Sequence, residues 1–280
     1  MTGNFIYPII GVTVTQGGKI VKIADKLWFW GHLEGSHNQD LGLNCKMTPE
    51  GFAREYGIKN AFIVSYGGNI QPPYDSFARR FTVLNEVKWS VLGDASTPIP
   101  DDELGNTQDV INTLPIGKNI TGGVVDDFFS PERMKRFPPE VLKKIKKTLN
   151  ENGLDFWCVL YNHQLGLELQ EYLDCFDWVT FWVWGSQYLV NIEEYLQKLF
   201  MLVKGKKVML GCYLWDWYDS DSKPMDGECF EKQIKLYFEM LRKGAMEGIV
   251  FCSNTVGDAN SEVNHILKKY IAEYGNREIE

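Results

Sequence analysis

Two adjacent aspartates, Asp126 and Asp127, offer the clearest chemistry in this sequence. They follow the apolar residues 123–125, although aspartate is disfavoured within strands. If both carboxylates ionised in a confined site they would repel each other, so we expect the pKa of one to be raised. One carboxyl group then keeps a proton while its neighbour stays negative, which is the division that acid and base catalysis needs. The alternative is that Asp127, close to Ser130, only caps the next helix or lies in water.

Polar and aromatic side chains also follow the other apolar runs. Tryptophan rings can stack on sugar rings, whose C–H groups are electropositive, and carboxylates and amides can bind sugar hydroxyl groups. We therefore predict a sugar-binding pocket formed by Trp30, His32, Glu34, Tyr66, Asn162, His163, Trp182, Trp184, Tyr213, Trp215, Asp216 and Asn254. Trp217 is a further candidate for its wall, whereas Asp94 and Tyr161 lie at comparable positions without a predicted role. The alternative for each tryptophan is that it fills the protein core.

The histidines suggest a second kind of site, that of a metal-dependent hydrolase. His32, Glu34, His37 and His163 could complete a ligand set together with the aspartates. The chain has only four histidines, however, and His265 falls in the last predicted helix. Aromatic residues occupy the sixth apolar run, where such a barrel needs a histidine. We therefore predict no metal and no other cofactor, and expect His32 and His163 to bind substrate or position a carboxylate.

Eight short apolar runs alternate with longer amphipathic stretches from residue 25 onward. The runs span residues 26–30, 61–64, 87–92, 123–125, 156–160, 178–182, 208–214 and 248–252. Short strands that alternate with helices predict a parallel sheet, and eight such units favour closure into a (β/α)₈ TIM barrel, an α/β fold. In such a barrel the carboxyl ends of the strands meet at one mouth. The predicted site residues follow those strand ends and should therefore converge there.

The chain is predicted to be a single domain over residues 1–280. An open, doubly wound sheet would need a glycine-rich turn after its first strand, and residues 30–35 (WGHLEG) do not provide one. Residues 1–24 are predicted to form a short N-terminal hairpin or extension. Prolines at positions 72, 73, 98 and 100 lengthen two loops, so the second and third helices are the least well defined by the pattern.

Composition argues against several other classes of protein. The net charge of −8 and the pI near 5.2 disfavour binding to nucleic acid or to an anionic membrane surface. No apolar run approaches the roughly 18–20 residues of a membrane span. The six cysteines lack paired ligand spacing and are predicted to be reduced core residues. The first four residues lack the basic start and apolar stretch of a signal peptide, which is compatible with a cytoplasmic protein or a trimmed secreted one.

Residues 123–129 (GVVDDFF) resemble the paired-aspartate motif of family 84 glycoside hydrolases, which are retaining β-N-acetylglucosaminidases on a similar barrel. Residues 180–185 (TFWVWG) and 213–219 (YLWDWYD) are similar to two further patches of that family. The resemblance implies that Asp126 orients and polarises a substrate acetamido group, while Asp127 acts as general acid and then as base. The chain departs from the family at Asp216, where asparagine is expected, and in having no flanking domain.

These observations predict a glycoside hydrolase that cleaves a glycosidic bond by carboxylate acid and base chemistry, with an N-acetylhexosamine as a candidate substrate. A non-catalytic carbohydrate-binding barrel, which keeps the aromatic rings but lacks a productive acid, is the first alternative. A metal-dependent hydrolase is the second. In the first two cases the partner is a carbohydrate or glycan.

Overall fold

The eight apolar runs form parallel strands that close into a barrel. The computed structural model describes residues 20–217 and 222–280. The strands are β1 (Leu27–Gly31), β2 (Asn60–Ile63), β3 (Glu86–Ser90), β4 (Ile120–Val125), β5 (Asp155–Tyr161), β6 (Trp178–Trp182), β7 (Lys207–Tyr213), β8 (Trp215–Asp216), β9 (Lys223–Pro224) and β10 (Gly248–Cys252). β8 and β9 form a separate antiparallel pair, and the other eight close because β1 pairs with both β2 and β10. The predicted single-domain TIM barrel is confirmed.

Helices connect successive barrel strands. They are α1 (Asn38–Leu41), α2 (Pro49–Tyr56), α3 (Asp75–Arg80), α4 (Thr107–Asn112), α5 (Pro131–Arg136), α6 (Pro139–Glu151), α7 (Gln170–Leu173), α8 (Ile192–Leu202), α9 (Gly227–Arg242) and α10 (Glu262–Tyr274). Thr48 begins α2 by accepting a hydrogen bond from the Gly51 N–H, with Pro49 at the first helical position. The two crossovers with proline-rich loops carry only the six-residue helices α3 and α4.

Aromatic rings pack the barrel interior. The Trp30 ring stacks on Phe62 at a centroid distance of 5.1 Å and meets Trp182 edge-on at 5.5 Å. The Phe62 ring also meets Trp157 edge-on at 5.3 Å. Because side chains alternate along a strand, every second residue of each strand points into this interior and fills it. A ligand therefore has to bind at the mouth of the barrel rather than within it.

One lysine is buried among these rings. Lys88 on β3 is 3% exposed, and its Nζ lies 3.0 Å from Asp155 Oδ1. The ammonium group also lies 5.6 Å from the Trp28 ring centroid and 5.3 Å from that of Trp157. A buried charge is tolerated only when it is paired, so Asp155 and the two rings compensate this one.

Three further sequence predictions concern the cysteines, membrane-spanning helices and the N-terminal hairpin. The six cysteines are free, and five of them are buried, as predicted. Within the two described ranges, no helix combines the length and hydropathy needed to cross a membrane. The predicted N-terminal hairpin falls almost entirely on residues 1–19, outside the described residues.

Candidate active site

A cavity of about 250 Å³ lies at the carboxyl ends of the barrel strands, the end at which TIM barrels carry their active sites. We call it the inner cavity. It is lined by Trp30, His32, His37, Tyr66, Asp94, Asp126, Asp127, Val159, Tyr161, Trp182, Trp184, Tyr213, Trp217 and Cys252. Aromatic and imidazole rings therefore form most of its wall, and aspartates supply its charge.

Asp126 and Asp127 both line the inner cavity although they are neighbours in the sequence. Adjacent residues of an extended strand point to opposite faces. Here the chain leaves β4 and turns at Asp127, whose φ is +47°. A left-handed backbone costs a residue with a side chain about 1–2 kcal/mol, although aspartate tolerates it better than most. The turn brings both carboxyl groups to one cavity, and such strain is typical of functional sites.

Tyr161 connects the two carboxyl groups. Its hydroxyl group donates to Asp127 Oδ1 over 2.7 Å and lies 3.5 Å from Asp126 Oδ1. The N–H of Asp127 donates to Asp126 Oδ1 at 2.8 Å, and the N–H of Ala95 donates to Asp127 Oδ2 at 3.0 Å. Ser130, not Asp127, caps α5 by accepting a backbone N–H of that helix. The helix-cap alternative for Asp127 is therefore wrong.

The two aspartates are electrostatically unequal. Burial raises the pKa of Asp126 well above its usual range, and the charges of Asp127 and Asp94 raise it further. The N–H of Asp127 and the guanidinium of Arg133 oppose this shift without cancelling it. This direction agrees with the prediction that one pKa of the pair is raised, although burial rather than repulsion is its largest cause. Asp126 is the member of the pair that holds a proton more readily than an ordinary aspartate.

Arg133 on α5 fixes the loops that carry these aspartates. Its guanidinium donates to the carbonyl oxygens of Gly93 at 3.0 Å, of Asp126 at 2.8 Å and of Asp94. The residue is 4% exposed, so its charge is buried against backbone dipoles. One side chain thereby joins the chain segments that follow β3 and β4, and the position of Asp126 depends on it.

The histidines of the inner cavity are neutral. His32 Nδ1 lies 3.0 Å from the Val64 carbonyl oxygen, which only accepts, so Nδ1 carries the proton and Nε2 is an acceptor. Burial lowers the pKa of His32, and burial together with the neighbouring His32 lowers the pKa of His37 to about 2. His37 Nδ1 lies 2.6 Å from the Thr255 hydroxyl oxygen. His32 can therefore accept a hydrogen bond from a neutral ligand through Nε2.

A glycine makes room for the aromatic floor of the cavity. A Cβ atom at Gly211 on β7 would overlap the Trp182 ring, so only glycine lets that indole lie across the strand. The Trp182 Nε1 donates to the Thr180 hydroxyl at 3.0 Å, which holds the ring in place. Tyr213 packs against the same ring at a centroid distance of 5.0 Å.

A larger depression of about 1090 Å³, which we call the outer cleft, adjoins the inner cavity. Asp127, Tyr161 and Trp184 line both, so the two spaces meet at Asp127. The other residues that line the outer cleft are Ala95, Ser96, Thr97, Pro98, Ile99, Phe129, Ser130, Glu132, Arg133, Asn162, His163, Gln164, Tyr188 and Tyr195. Asp127 is therefore the carboxyl group of the pair that reaches both spaces.

The structure brings most of the predicted pocket residues together. Those that line the inner cavity, besides the aspartate pair, are Trp30, His32, Tyr66, Trp182, Trp184 and Tyr213, and the further candidate Trp217 joins them. Asn162 and His163 line the outer cleft instead. Asn162 Oδ1 accepts the Trp184 N–H at 2.8 Å, and the His163 ring stacks on Tyr161 at 5.5 Å.

Two predicted pocket residues near the barrel mouth line neither space. Glu34 forms a salt bridge with Arg80, which also pairs with Glu50. The carboxylate of Glu34 is therefore engaged by Arg80 at the surface. Asn254 is fully buried and bonds the backbone N–H and carbonyl of His32 and the carbonyl of Met47. Asn254 positions the segment after β1 and supports His32 indirectly.

Two further predicted residues, Trp215 and Asp216 on β8, also line neither space. The Trp215 Nε1 donates to the Ser222 hydroxyl at 2.8 Å, and the residue is 5% exposed. Asp216 is buried and accepts hydrogen bonds from the backbone N–H and the hydroxyl of Ser186. Because β8 pairs with β9, these side chains serve the loop between β7 and β10 rather than the cavity.

Tyr161, like Asp94, lines the inner cavity but has no role in the sequence prediction. Its position directly after the fifth apolar run was the only indication available. The contact that gives it a role joins Tyr161, at the end of β5, to Asp126, which lies 35 residues earlier in the chain. Among the described residues, no group of three or more His, Cys, Asp or Glu side chains lies in an arrangement that could hold a metal ion.

Comparisons with known proteins support the barrel fold. No protein-family model matches the chain, and no curated protein matches it. A chitinase catalytic domain from Pyrococcus furiosus has a TM-score of 0.58 at 11% identity, covering 90% of this chain and 97% of that one. A family 128 endo-β-1,3-glucanase from Amycolatopsis mediterranei, in complex with laminarihexaose, has a TM-score of 0.51 at 10% identity, covering 87% and 98%.

A tryptophan synthase α-subunit from Pyrococcus furiosus is also similar, with a TM-score of 0.49 at 13% identity over 90% and 98% of the two chains. Identities this low show a shared fold and no more. The chain is thus a TIM barrel whose structural neighbours include glycoside hydrolases. These likenesses do not single out family 84.

Proposed function

We propose that this chain is a glycoside hydrolase that uses Asp126 and Asp127 to cleave a glycosidic bond. One observation carries the proposal: two adjacent carboxyl groups, one with a raised pKa, line a single small cavity walled by aromatic rings. Aromatic rings bind the apolar faces of sugars, and carboxyl groups bind hydroxyl groups and transfer protons. Two of the structural neighbours are glycoside hydrolases, which is compatible with the proposal but does not carry it.

Position favours Asp127 as the general acid. The glycosidic oxygen lies between the sugar and its leaving group, so the acid must reach the boundary between their binding sites. Asp127 lines both the inner cavity and the outer cleft, whereas Asp126 lines the inner cavity alone. In the proposed complex the sugar ring occupies the inner cavity and the leaving group occupies the outer cleft. Asp127 protonates the oxygen between them.

Asp126 then faces the sugar ring. It stabilises the oxocarbenium-like centre, either directly or by holding a substrate amide. An acetamido N–H that donates to Asp126 favours its charged form, and the Tyr161 hydroxyl offers the released proton a path towards Asp127. Binding of an N-acetylhexosamine would thus move a proton from Asp126 to Asp127, which is the general acid. The Trp217 indole N–H, buried without a partner among the described residues, is a further donor for a sugar oxygen.

A panel of nitrophenyl glycosides that includes N-acetylhexosaminides tests the proposal. We expect the parent protein to release nitrophenol from at least one of them, at a rate that a chelator leaves unchanged. Loss of activity with the chelator would favour the metal-dependent alternative. Binding of sugars in calorimetry without cleavage of any substrate would favour the non-catalytic barrel.

Two variants then separate the roles of the aspartates. Asp127→Asn keeps the size of the side chain but removes the transferable proton, so cleavage of substrates with poor leaving groups should fall about 10²–10⁴-fold. Substrates with good leaving groups need less protonation and should lose less. Asp126→Asn should slow both kinds of substrate alike. The exposed Asp75→Asn is the matched control, and a parent-like rate in both site variants would overturn the assignment.

A further inference from the structure

The outer cleft continues into a third depression, which we call the outer groove. It measures about 540 Å³ and is lined by Leu165, Gly166, Gln170, Lys198, Met201 and Leu202. Asn162 and Tyr195 line both the outer cleft and the outer groove, so these two spaces are contiguous. The three spaces therefore lie side by side, with Asp127 between the first two, and we call this series of spaces the path.

The spaces along this path differ in size. Pockets for small ligands commonly measure about 300–1,000 Å³. The inner cavity, at about 250 Å³, falls below this range and suits a single sugar ring. The outer cleft, at about 1090 Å³, slightly exceeds this range and has room for more than one ring. The volume on the leaving-group side is thus far larger than the protonation step requires.

The lining of the path favours a neutral ligand with apolar faces. Tyr195 lines both the outer cleft and the outer groove, and the amide side chains of Asn162, Gln164 and Gln170 also line these spaces. Asp127 and the exposed Glu132 disfavour an anionic chain. The nearby cations are engaged, since Lys198 pairs with Glu194 at 2.6 Å and Arg133 donates to backbone carbonyls.

We infer that the outer cleft and the outer groove bind the leaving-group side of a neutral oligosaccharide, with the Tyr195 ring as a platform between successive sugar units. The inference rests on the proposed function, because Asp127 defines which side leaves. It extends that function, because it assigns the substrate to oligosaccharide chains rather than to small glycosides. Binding energy gained far from the cleaved bond can be used at the reacting centre, so longer chains should react faster.

Oligosaccharides of one to five units, from chitin and from laminarin, test the inference. We expect affinity to rise with chain length in calorimetry with Asp127→Asn, which binds without turning over. In the parent, kcat/KM should rise from two to four units. Tyr195→Ala should lower the ratio of tetrasaccharide to monosaccharide affinity about 3–10-fold, as expected for one lost ring contact. Tyr274→Ala on α10 is the matched control, since it also truncates a half-buried helical tyrosine, and should leave the ratio unchanged.

The outcomes separate this inference from the proposed function. If nitrophenyl glycosides are cleaved but kcat/KM does not depend on chain length, the inference is wrong and the proposed function stands. If affinity rises with length and depends on Tyr195 but no substrate is cleaved, the path binds oligosaccharides, and both the hydrolase proposal and the leaving-group assignment fail. If neither series of oligosaccharides binds, the inference is overturned, and the nitrophenyl glycoside panel alone decides the proposed function. An unchanged ratio in Tyr195→Ala also overturns the inference.

Discussion

Replacing Asp126 by asparagine tests the electrostatics of the site without any knowledge of a substrate. Asp126 is 6% exposed, and burial raises the pKa of its carboxyl group above the unfolded value of about 3.9. Below about pH 4 it is protonated in both the folded and the unfolded state. At higher pH the unfolded chain releases the proton, while the folded protein retains it or holds a desolvated charge. This group therefore lowers the stability of the parent as the pH rises, and Asp126→Asn removes that contribution.

The size of this effect follows from the linkage between protonation and folding. Each tenfold change in the acid dissociation constant corresponds to about 1.4 kcal/mol. For a domain of this size, 1 kcal/mol moves the melting temperature by roughly 2–4 °C. Asparagine also introduces an amide N–H₂ that needs an acceptor, at a cost of about 1–3 kcal/mol if none is found. That cost does not depend on pH. The informative quantity is therefore how much the stability difference between variant and parent changes between pH 4 and pH 7.

The assay is thermal unfolding of parent and variant at intervals between pH 4 and pH 7. The melting temperature of Asp126→Asn relative to the parent should increase steadily with pH. Asp177→Asn is a control of opposite sign. Burial alone would raise the pKa of Asp177, but hydrogen bonds from Lys146, Asn150 and the Phe156 N–H outweigh it and lower the pKa. That control should lose stability at pH 7, and the loss should fade only below about pH 4.

One result would refute the reasoning directly. If the melting temperature of Asp126→Asn differs from that of the parent by the same amount at every pH, the carboxyl group has no raised pKa. Asp126 would then hold no additional proton to pass through Tyr161 to Asp127, and the proposed route of the proton would lack its physical basis. A difference that becomes less favourable to the variant with rising pH would show that the site stabilises the carboxylate.

Two further changes test how the barrel supports the site. Gly211→Ala should displace the Trp182 ring, destabilise the protein by about 1–3 kcal/mol and weaken sugar binding. Thermal unfolding measures the loss of stability, and calorimetry measures the loss of affinity. Normal sugar binding would show that the ring can move without cost. Lys88→Met should leave Asp155 without its buried partner and cost about 3 kcal/mol in urea unfolding, and adding Asp155→Asn should recover part of that loss. Additive losses in the double variant would contradict a direct pairing.

The sequence alone was sufficient to predict the barrel and the position of the aspartate pair. Short β-rich apolar runs that alternate with helical stretches are local patterns, so each strand could be placed within a few residues of its observed bounds. Asp126 and Asp127 stood out because two carboxylates directly after an apolar run conflict with its strand character. Charge repulsion within the pair predicted that one pKa would be raised, whereas the largest cause, the burial of Asp126, is known only from the tertiary structure.

The tertiary structure alone decided which strand-end side chains share a cavity. Position after a strand does not determine the direction of a side chain, because the path of each loop sets it. Trp215 and Asn254 lie near the ends of barrel strands as Trp30 does, yet they bond to loop and backbone atoms and line neither space. The link through Tyr161 and the boundary at Asp127 depend on the packing of β4 against β5 and on the turn at φ +47°. Such contacts join residues far apart in the chain, so no local pattern in the sequence records them.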